Sequence, residues 1–246
     1  MDLATKEGIE IRFWETSPVE RPGSNSLENL LMKAAEARVF VEKLKTFNSL
    51  FAGARDILEL GGGQGWASCI VKRSYPGARL TLTDISSAAI ASVDIWERVF
   101  GAEIEDARAC RSYETPFPDA SFDLIFAFSA AHHFVRHRRT LQEIRRLLRP
   151  GGSALYLYEP GCLAFLHGLA KYRVNRKRPE VPEDVLRYRE IEALAREAGL
   201  EAEALRSPSL TNRGPFETIY YSMLHLVPVL QGLLPCTVDI VMRRRD

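Results

Sequence analysis

The sequence predicts an α/β fold, in which a doubly wound, mostly parallel sheet of seven strands carries helices on both faces. Three observations lead to this prediction. Short apolar segments of strand length alternate with segments whose apolar residues have helical spacing. The first strand ends in a run of glycines. Apolar residues make up 46% and charged residues 26% of the 246 residues, which is typical of a soluble globular protein.

Residues 1–50 are expected to form an N-terminal cap, with an extended start followed by a helix. Asn25 and Glu28 resemble a capping box, and apolar residues then recur with helical spacing. The aromatic pair Phe13 and Trp14 has two interpretations. It either packs the segment onto the sheet or closes over a site and excludes water.

Residues 51–246 are expected to form the main domain. The predicted strands are residues 56–60, 79–83, 103–109, 122–128, 153–158, 200–205 and 237–242. The predicted helices are residues 67–74, 87–100, 138–148, 188–198 and 216–234. Prolines, glycines and basic residues interrupt the alternation at 160–186, so an inserted helix and loop are expected after the fifth strand. Pro228 is expected to kink or end the last helix.

Charge and cysteine content exclude several classes of protein. Lys and Arg number 33 against 32 Asp and Glu, so the sequence lacks the basic excess of a dedicated nucleic-acid binder. The four cysteines are isolated and form no CxxC pair, so neither a disulfide framework nor a metal site is expected. No signal peptide or membrane span is recognisable, and we expect a cytoplasmic protein.

The segment ILELGGGQGW at 57–66 is the most informative part of the sequence. Glycines at the end of a strand permit positive φ and let a ligand approach the backbone closely. A P-loop would need a Lys-Ser or Lys-Thr pair, which is absent here. Trp66 stands where a dinucleotide fingerprint needs a small residue, which disfavours a nicotinamide-dependent dehydrogenase. The remaining interpretation is that Glu59, two positions before the first glycine, faces a cationic group.

Asp84 ends the next strand, in the segment LTLTDIS. A carboxylate at that point can accept hydrogen bonds from the two hydroxyls of a ribose. It can equally cap the helix that follows, because Asp is a favoured N-cap residue. The glycine turn beside it favours the ribose.

These segments together resemble the class I S-adenosylmethionine-dependent methyltransferases over residues 55–159. ILELGGGQG resembles the first motif of that family and LTLTDIS the second, while TPFPDASFDLIFAFSAAHHF and LRPGG resemble later segments. The resemblance implies a Rossmann-like fold, S-adenosylmethionine as cofactor and S-adenosylhomocysteine as product. The cofactor-binding residues that it implies are Glu59, Gly61, Gly62, Gly63, Gly65, Asp84, Ile85, Arg111, Ser112, Tyr113, Phe128 and Ser129.

One position departs from the family pattern. Arg111 stands where many relatives carry an Asp that accepts from the adenine amino group, and Arg cannot accept a hydrogen bond. Adenine would then depend on the backbone, on Ser112, or on stacking against Arg111 or Tyr113. His132 and His133 follow the fourth strand near the expected methyl group, so either could serve as a general base. The alternative is that both histidines are structural.

The sequence predicts methyl transfer to a small-molecule acceptor, anionic or saccharide-like in character. The anionic preference comes from two basic clusters, at 136–149 and 167–178, which could equally be solvated surfaces. Two alternatives stay open: an RNA or protein methyltransferase that uses those clusters, and a non-catalytic relative that acts through partners. The apolar stretch 223–234 is expected to pack in the core first, and to form a homodimer interface or an acceptor pocket otherwise.

Overall fold

The structure, a computed structural model, describes residues 3–22, 24, 26–176 and 183–246. Its strands are Asp56–Leu60 (β1), Arg79–Asp84 (β2), Asp106–Ala109 (β3), Phe122–Phe128 (β4), Leu148–Cys162 (β5), Leu186–Arg187 (β6), Glu201–Arg206 (β7) and Cys236–Arg243 (β8). Its α-helices are Leu3–Thr16 (α1), Leu27–Thr46 (α2), Asn48–Gly53 (α3), Trp66–Ser74 (α4), Ser87–Ile90 (α5), Val93–Phe100 (α6), His137–Leu147 (α7), His167–Asn175 (α8), Tyr188–Glu197 (α9) and Pro215–Leu226 (α10). Short 3-10 helices cover Ala131–His133, Ala164–Leu166 and Pro228–Gly232.

The strand order β3-β2-β1-β4-β5-β8-β7 confirms the doubly wound, mostly parallel sheet. β8 runs antiparallel to both of its neighbours, β5 and β7, whereas the other neighbouring strands in this order pair in parallel. The seven predicted strands are all present, and the short β6, which pairs with β5, makes an eighth that the sequence did not indicate. Because β1 and β4 are neighbours, the chain leaves them in opposite directions and opens a crevice at their carboxyl ends.

The core lies on both faces of the sheet, as β4 shows most clearly. Ile125 and Ala127 belong to one apolar cluster, which also contains residues of α7 and α9. Leu124, Phe126 and Phe128 belong to the other, together with residues of α2 and α4. Successive side chains of a strand point to opposite faces, so a continuously apolar strand needs helices on both.

The N-terminal segment differs from the prediction. Residues 3–16 form helix α1 and not an extended start. The N-cap of α2 is Ser26, whose side chain accepts from the backbone N–H of Asn29 at 3.0 Å. Asn25, the predicted capping residue, lies outside the described residues. Helix α1 contacts α5 and the carboxyl end of the sheet, so tertiary contacts stabilise it where helix propensity alone is weak.

Helix α2 is tied to the sheet by a buried ion pair. The Lys43 ammonium lies 2.7 Å from the Asp239 carboxylate of β8, and both side chains are almost completely buried. Asp239 also accepts from the backbone N–H of Tyr158 at 2.8 Å. A buried charge of this kind needs its partner, so the pair specifies where the cap segment packs on the domain.

Two expectations for the C-terminal half are confirmed and one is wrong in part. Helix α8 lies within the predicted insertion, and α10 ends just before Pro228. The apolar stretch at 223–234 is not simply core, because Leu224 is fully buried while Leu226 is 82% exposed.

No helix in the described ranges combines the length and the apolar character needed to cross a bilayer.

Candidate functional site

A cavity of about 680 Å³ opens at the carboxyl ends of β1, β2 and β4, in the crevice between β1 and β4. This volume is in the range of small-ligand sites. The predicted site residues that line it are Glu59, Gly61, Gly62, Gly63, Asp84, Ile85, Arg111, Ser112, Tyr113, Phe128, Ser129, His132 and His133. Gly65 does not line the cavity. It is the N-cap of α4, with a φ of 84° that favours glycine.

The glycine turn forms the floor of the cavity. Gly61 and Gly63 both have positive φ, at 69° and 56°. The Gly63 N–H donates to the Asp84 carboxylate at 2.9 Å, which ties the turn to the end of β2. A Cβ at Gly62 would lie 2.5 Å from the Glu59 carboxyl carbon, so no larger residue fits without displacing that side chain. The turn therefore holds both acids in place.

Glu59 is a buried carboxylate at the end of β1. Its side chain is 2% exposed and accepts a hydrogen bond from the Ser68 hydroxyl at 2.5 Å. Burial raises the pKa of the Glu59 carboxyl to about 7, against the opposing effect of the Ser68 hydrogen bond. A cationic ligand group next to this carboxylate would favour its ionised form.

Asp84 is the second buried carboxylate of the cavity. It accepts from the backbone N–H groups of Gly63 and Ser86, each at 2.9 Å. The hydrogen bond from Ser86 shows that Asp84 stabilises the turn after β2. Asp84 also lies in the cavity wall, where its remaining lone pairs can accept from a ligand. Burial raises its pKa to about 6, although both backbone hydrogen bonds lower it. The helix-cap alternative for Asp84 is wrong, because the N-cap of α5 is Ser86, whose side chain accepts from the backbone N–H of Ala89.

The residues after β3 meet helix α1. Arg111 donates to the Glu7 carboxylate at 3.1 Å, and the Tyr113 hydroxyl donates to the same carboxylate at 2.6 Å. Ser112 shares a hydrogen bond with Thr140 at 3.0 Å. The arginine that replaces the family's Asp is therefore ion-paired, so its charge is neutralised locally.

Helix α1 covers the glycine turn. A Cβ at Gly63 would lie 3.0 Å from the Trp14 ring, and Phe13 packs edge-on against that ring. Both aromatics line the cavity, which supports the interpretation that the segment closes over a site. Glu10 on the same helix faces His133.

The loop after β4 begins under strain. Ser129 has a φ of 48°, which residues other than glycine rarely adopt. Next to it the carboxylate of Glu159 accepts from three successive backbone N–H groups, at Ala130, Ala131 and His132, over 2.9 to 3.1 Å. This carboxylate from β5 specifies the path of the loop that presents both histidines.

The two histidines differ in their surroundings. His132 Nδ1 lies 2.7 Å from Glu159 and its Nε2 lies 3.0 Å from Glu183. Burial alone would lower the pKa of His132, but the hydrogen bonds to both carboxylates outweigh it and raise the pKa to about 10. His133 is less buried, with 25% of its side chain exposed; its Nδ1 lies 2.7 Å from Glu10 without hydrogen-bond alignment.

The basic clusters do not line the cavity, although the Arg136 guanidinium lies 5.2 Å from the ring centroid of the lining residue Tyr113. Arg146 pairs with Glu143 and Asp119, and Lys171 pairs with Asp184. None of the described residues in either cluster belongs to the cavity wall. The acids of that wall are Glu7, Glu10, Glu20, Glu28, Glu36, Glu59, Asp84 and Glu183, and its Lys and Arg residues are Lys33 and Arg111. The clusters that led to the expectation of an anionic acceptor therefore do not form the wall of the cavity.

Sequence reasoning missed several residues that build the site. Glu7, Glu10 and Glu183 reach the cavity wall from distant segments, Gln64 lines it from within the glycine motif, and Glu159 is buried behind it and binds the histidine loop. Gln64, inside the glycine motif, accepts from both the Trp96 indole and the Asn29 amide. Because Gln64 lies within the glycine motif, the sequence could have identified it as a site residue. The four glutamates lie in segments that match no motif.

A family model described as a methyltransferase domain matches residues 58–156. The fatty-acid O-methyltransferase of Mycolicibacterium smegmatis is 32% identical over 100 residues, which are 41% of this chain and 35% of that protein. The 27-O-demethylrifamycin SV methyltransferase of Amycolatopsis mediterranei is 28% identical over 193 residues, which are 76% of this chain and 68% of that protein. The chain spans 35% to 50% of the length of several curated relatives.

Among solved structures, geranyl diphosphate C-methyltransferase from Streptomyces coelicolor has a TM-score of 0.69 at 13% identity, covering 98% of each chain. That crystal structure is a complex with Mg²⁺, geranyl diphosphate and S-adenosyl-L-homocysteine. At 13% identity, this similarity supports a shared fold only.

The fold and the site define an α/β protein with a ligand-sized cavity at the switch point of its sheet. Within that class, the matched domain and the named relatives support a class I S-adenosylmethionine-dependent methyltransferase. The cofactor of this family of enzymes is S-adenosylmethionine.

Proposed function

We propose that this protein binds S-adenosylmethionine at the glycine turn and transfers its methyl group to a small molecule in the same cavity. The observation that carries the proposal is the pair of buried carboxylates, Glu59 and Asp84, at the ends of adjacent strands in one cavity wall. In the described part of the chain, their hydrogen bonds come from one hydroxyl and two backbone N–H groups, and neither has a basic side chain as an ion-pair partner.

The carboxylate pair fits the cofactor chemically. Two buried negative charges without a cation are unfavourable, and their raised pKa values express that cost. An ammonium group beside Glu59 would supply the missing charge. Asp84 keeps lone pairs for ribose hydroxyls in addition to its two backbone hydrogen bonds.

When bound, the cofactor supplies an activated methyl group, so the protein's own task is to position the reactants and exclude water. Glu59 and Asp84 would orient the two ends of the cofactor. Trp14 above the glycine turn and Phe134 beside Gly61 shield the cavity from solvent. His133 is the proposed contact to the acceptor, because its side chain is partly exposed in the cavity wall. Positioning alone can contribute about 7–11 kcal/mol to such a reaction.

The charge of the cavity supports a neutral or cationic small-molecule acceptor. The acid-rich wall would repel a phosphate backbone, which argues against the RNA alternative. The named activities of the relatives, on a fatty acid and on a demethylrifamycin, are consistent with a small acceptor. A homodimer through the exposed face of α10, around Leu226, and a cytoplasmic location remain proposals.

Calorimetric titration of the full chain with S-adenosylmethionine, S-adenosylhomocysteine and NAD tests the binding step. We expect both sulfur nucleosides to bind and NAD not to bind. Label transfer from methyl-labelled cofactor to cell extract, sorted into metabolite, RNA and protein fractions, then tests the acceptor class. Binding without transfer to any fraction would support the non-catalytic alternative, and label in RNA would contradict the small-molecule proposal.

A further inference from the structure

Three side chains from two distant segments converge at the acceptor end of the cavity. His132 Nε2 lies 3.0 Å from Glu183 Oε2, and His133 Nε2 lies 3.6 Å from the same oxygen. One potential ligand atom of each residue lies within 4.8 Å of those of the other two. All three residues line the cavity.

The spacing matches that of ligands around one ion. Bonds from a transition metal to imidazole nitrogen and carboxylate oxygen are about 2.0–2.2 Å long, which places neighbouring ligand atoms roughly 3–3.5 Å apart. The two distances to Glu183 are close to that range, at 3.0 and 3.6 Å. The tilt of the imidazole rings, whose centroids are 4.1 Å apart, keeps both Nε2 atoms near this one carboxylate.

The other nitrogen of each ring faces a carboxylate. His132 Nδ1 lies 2.7 Å from Glu159, and His133 Nδ1 lies 2.7 Å from Glu10. Metal-binding histidines characteristically present one nitrogen to the ion while the second contacts a carboxylate that specifies the orientation of the ring. Glu159 is itself held by backbone N–H groups of the histidine loop, so the orientation of His132 is rigid.

We infer that His132, His133 and Glu183 form a binding site for one divalent first-row transition-metal ion beside the acceptor. Two histidines and one carboxylate on one side of an ion leave coordination positions open, here toward the cavity. The acid-rich wall attracts a cation to this place. The ion would bind an oxygen of the acceptor and so hold it near the methyl group. This role in holding the acceptor rests on the proposed function, whereas binding of the ion to the three residues does not.

The experiment uses the full chain, without a polyhistidine tag and treated with a chelator, titrated with Zn²⁺ and Co²⁺ by calorimetry. We expect one ion per chain and a Co²⁺ absorption spectrum typical of mixed nitrogen and oxygen ligands. Mg²⁺ is expected to bind far more weakly, because it prefers sites built from oxygen. Titration with S-adenosylmethionine in parallel separates failure of this site from failure of the cofactor site.

Two variants identify the ligands. His133→Asn and Glu183→Gln should each weaken Zn²⁺ binding by about 100-fold or more, since removal of a carboxylate that only orients a ligand already costs 10–100-fold. His225→Asn is the matched control, because His225 is exposed on α10 and outside the cavity wall. His132 is not substituted first, since it is buried and its loss could unfold the loop.

Circular dichroism and thermal unfolding show whether each variant folds. A variant that folds but keeps wild-type Zn²⁺ affinity would overturn the assignment for that residue. Absence of stoichiometric Zn²⁺ or Co²⁺ binding to the wild-type chain would overturn the site altogether, even if the cofactor binds.

Discussion

Glu59→Gln is predicted to stabilise the unliganded protein while it weakens cofactor binding. The substitution keeps the shape of the side chain and a partner for Ser68, and it removes a charge that is buried without a cation. In the free protein that charge is a cost of folding. In the complex it is the proposed contact to the cofactor's ammonium group, so the same change should act in opposite directions on stability and on binding.

The magnitude follows from the pKa of the Glu59 carboxyl, which burial raises from 4.5 to about 7. The unfolded chain loses this proton above pH 4.5, whereas the folded chain keeps it up to about pH 7. Folding is therefore penalised increasingly between these values, and at pH 8 the penalty reaches about 3 kcal/mol. For a chain of this length that corresponds to roughly 6–12 °C in Tm. Below about pH 4.5 the penalty is absent.

The measurement is chemical denaturation of wild type and Glu59→Gln at pH 8 and again at pH 5, followed by calorimetric titration with S-adenosylmethionine at pH 8. The variant should be more stable at pH 8 by up to about 3 kcal/mol, and the gain should shrink to below about 1 kcal/mol at pH 5. Its affinity for the cofactor should fall about 10–100-fold. Glu103→Gln, at an exposed position, is the control and should change neither property.

Two results would refute this reasoning. If the variant is no more stable than wild type at pH 8, then burial of Glu59 does not cost what its pKa implies. If the gain is the same at both pH values, then the stabilisation does not come from the carboxyl's ionisation.

Three further predictions concern the same cavity. Asp84→Asn should weaken binding of S-adenosylmethionine by about 10–100-fold in calorimetric titration, because an ionic acceptor for the ribose is lost, whereas the exposed control Asp94→Asn should not. Wild-type affinity for the cofactor should fall about tenfold from pH 8 to pH 6, as Glu59 and then Asp84 gain protons. Gly62→Ala should lower the free energy of unfolding by about 1–3 kcal/mol, because its Cβ would collide with neighbouring side chains, whereas Gly77→Ala meets open space.

Each of these has a contradicting outcome. Equal weakening by Asp84→Asn and Asp94→Asn would show a general electrostatic effect and no ribose contact. A flat pH profile would mean that the carboxylates are already ionised in the free protein. Wild-type stability of Gly62→Ala would show that the Glu59 side chain can move aside without cost.

The local pattern of the sequence was sufficient to predict the sheet and the two carboxylates at the centre of the proposed cofactor site. Strand and helix periodicity, together with the glycine run, located the seven predicted strands along the chain, whereas their order in the sheet comes from the structure. Glu59 and Asp84 could be identified because parallel strands end at one edge, so residues at strand ends are neighbours whatever lies between them. Helix α1 could not be predicted, since its helical state depends on contacts with α5 and the cavity rim.

Only the tertiary structure shows the surroundings of the two histidines, where we propose that the acceptor binds. Glu10, Glu159 and Glu183 come from three separate segments, and nothing in their local sequence distinguishes them from solvated glutamates. The basic clusters suggested a functional surface in the sequence, yet their described residues do not line the cavity, and Arg146 and Lys171 are held in ion pairs elsewhere. Charge along a chain does not report charge around a cavity, because the distances that determine electrostatic interaction exist only after the chain has folded.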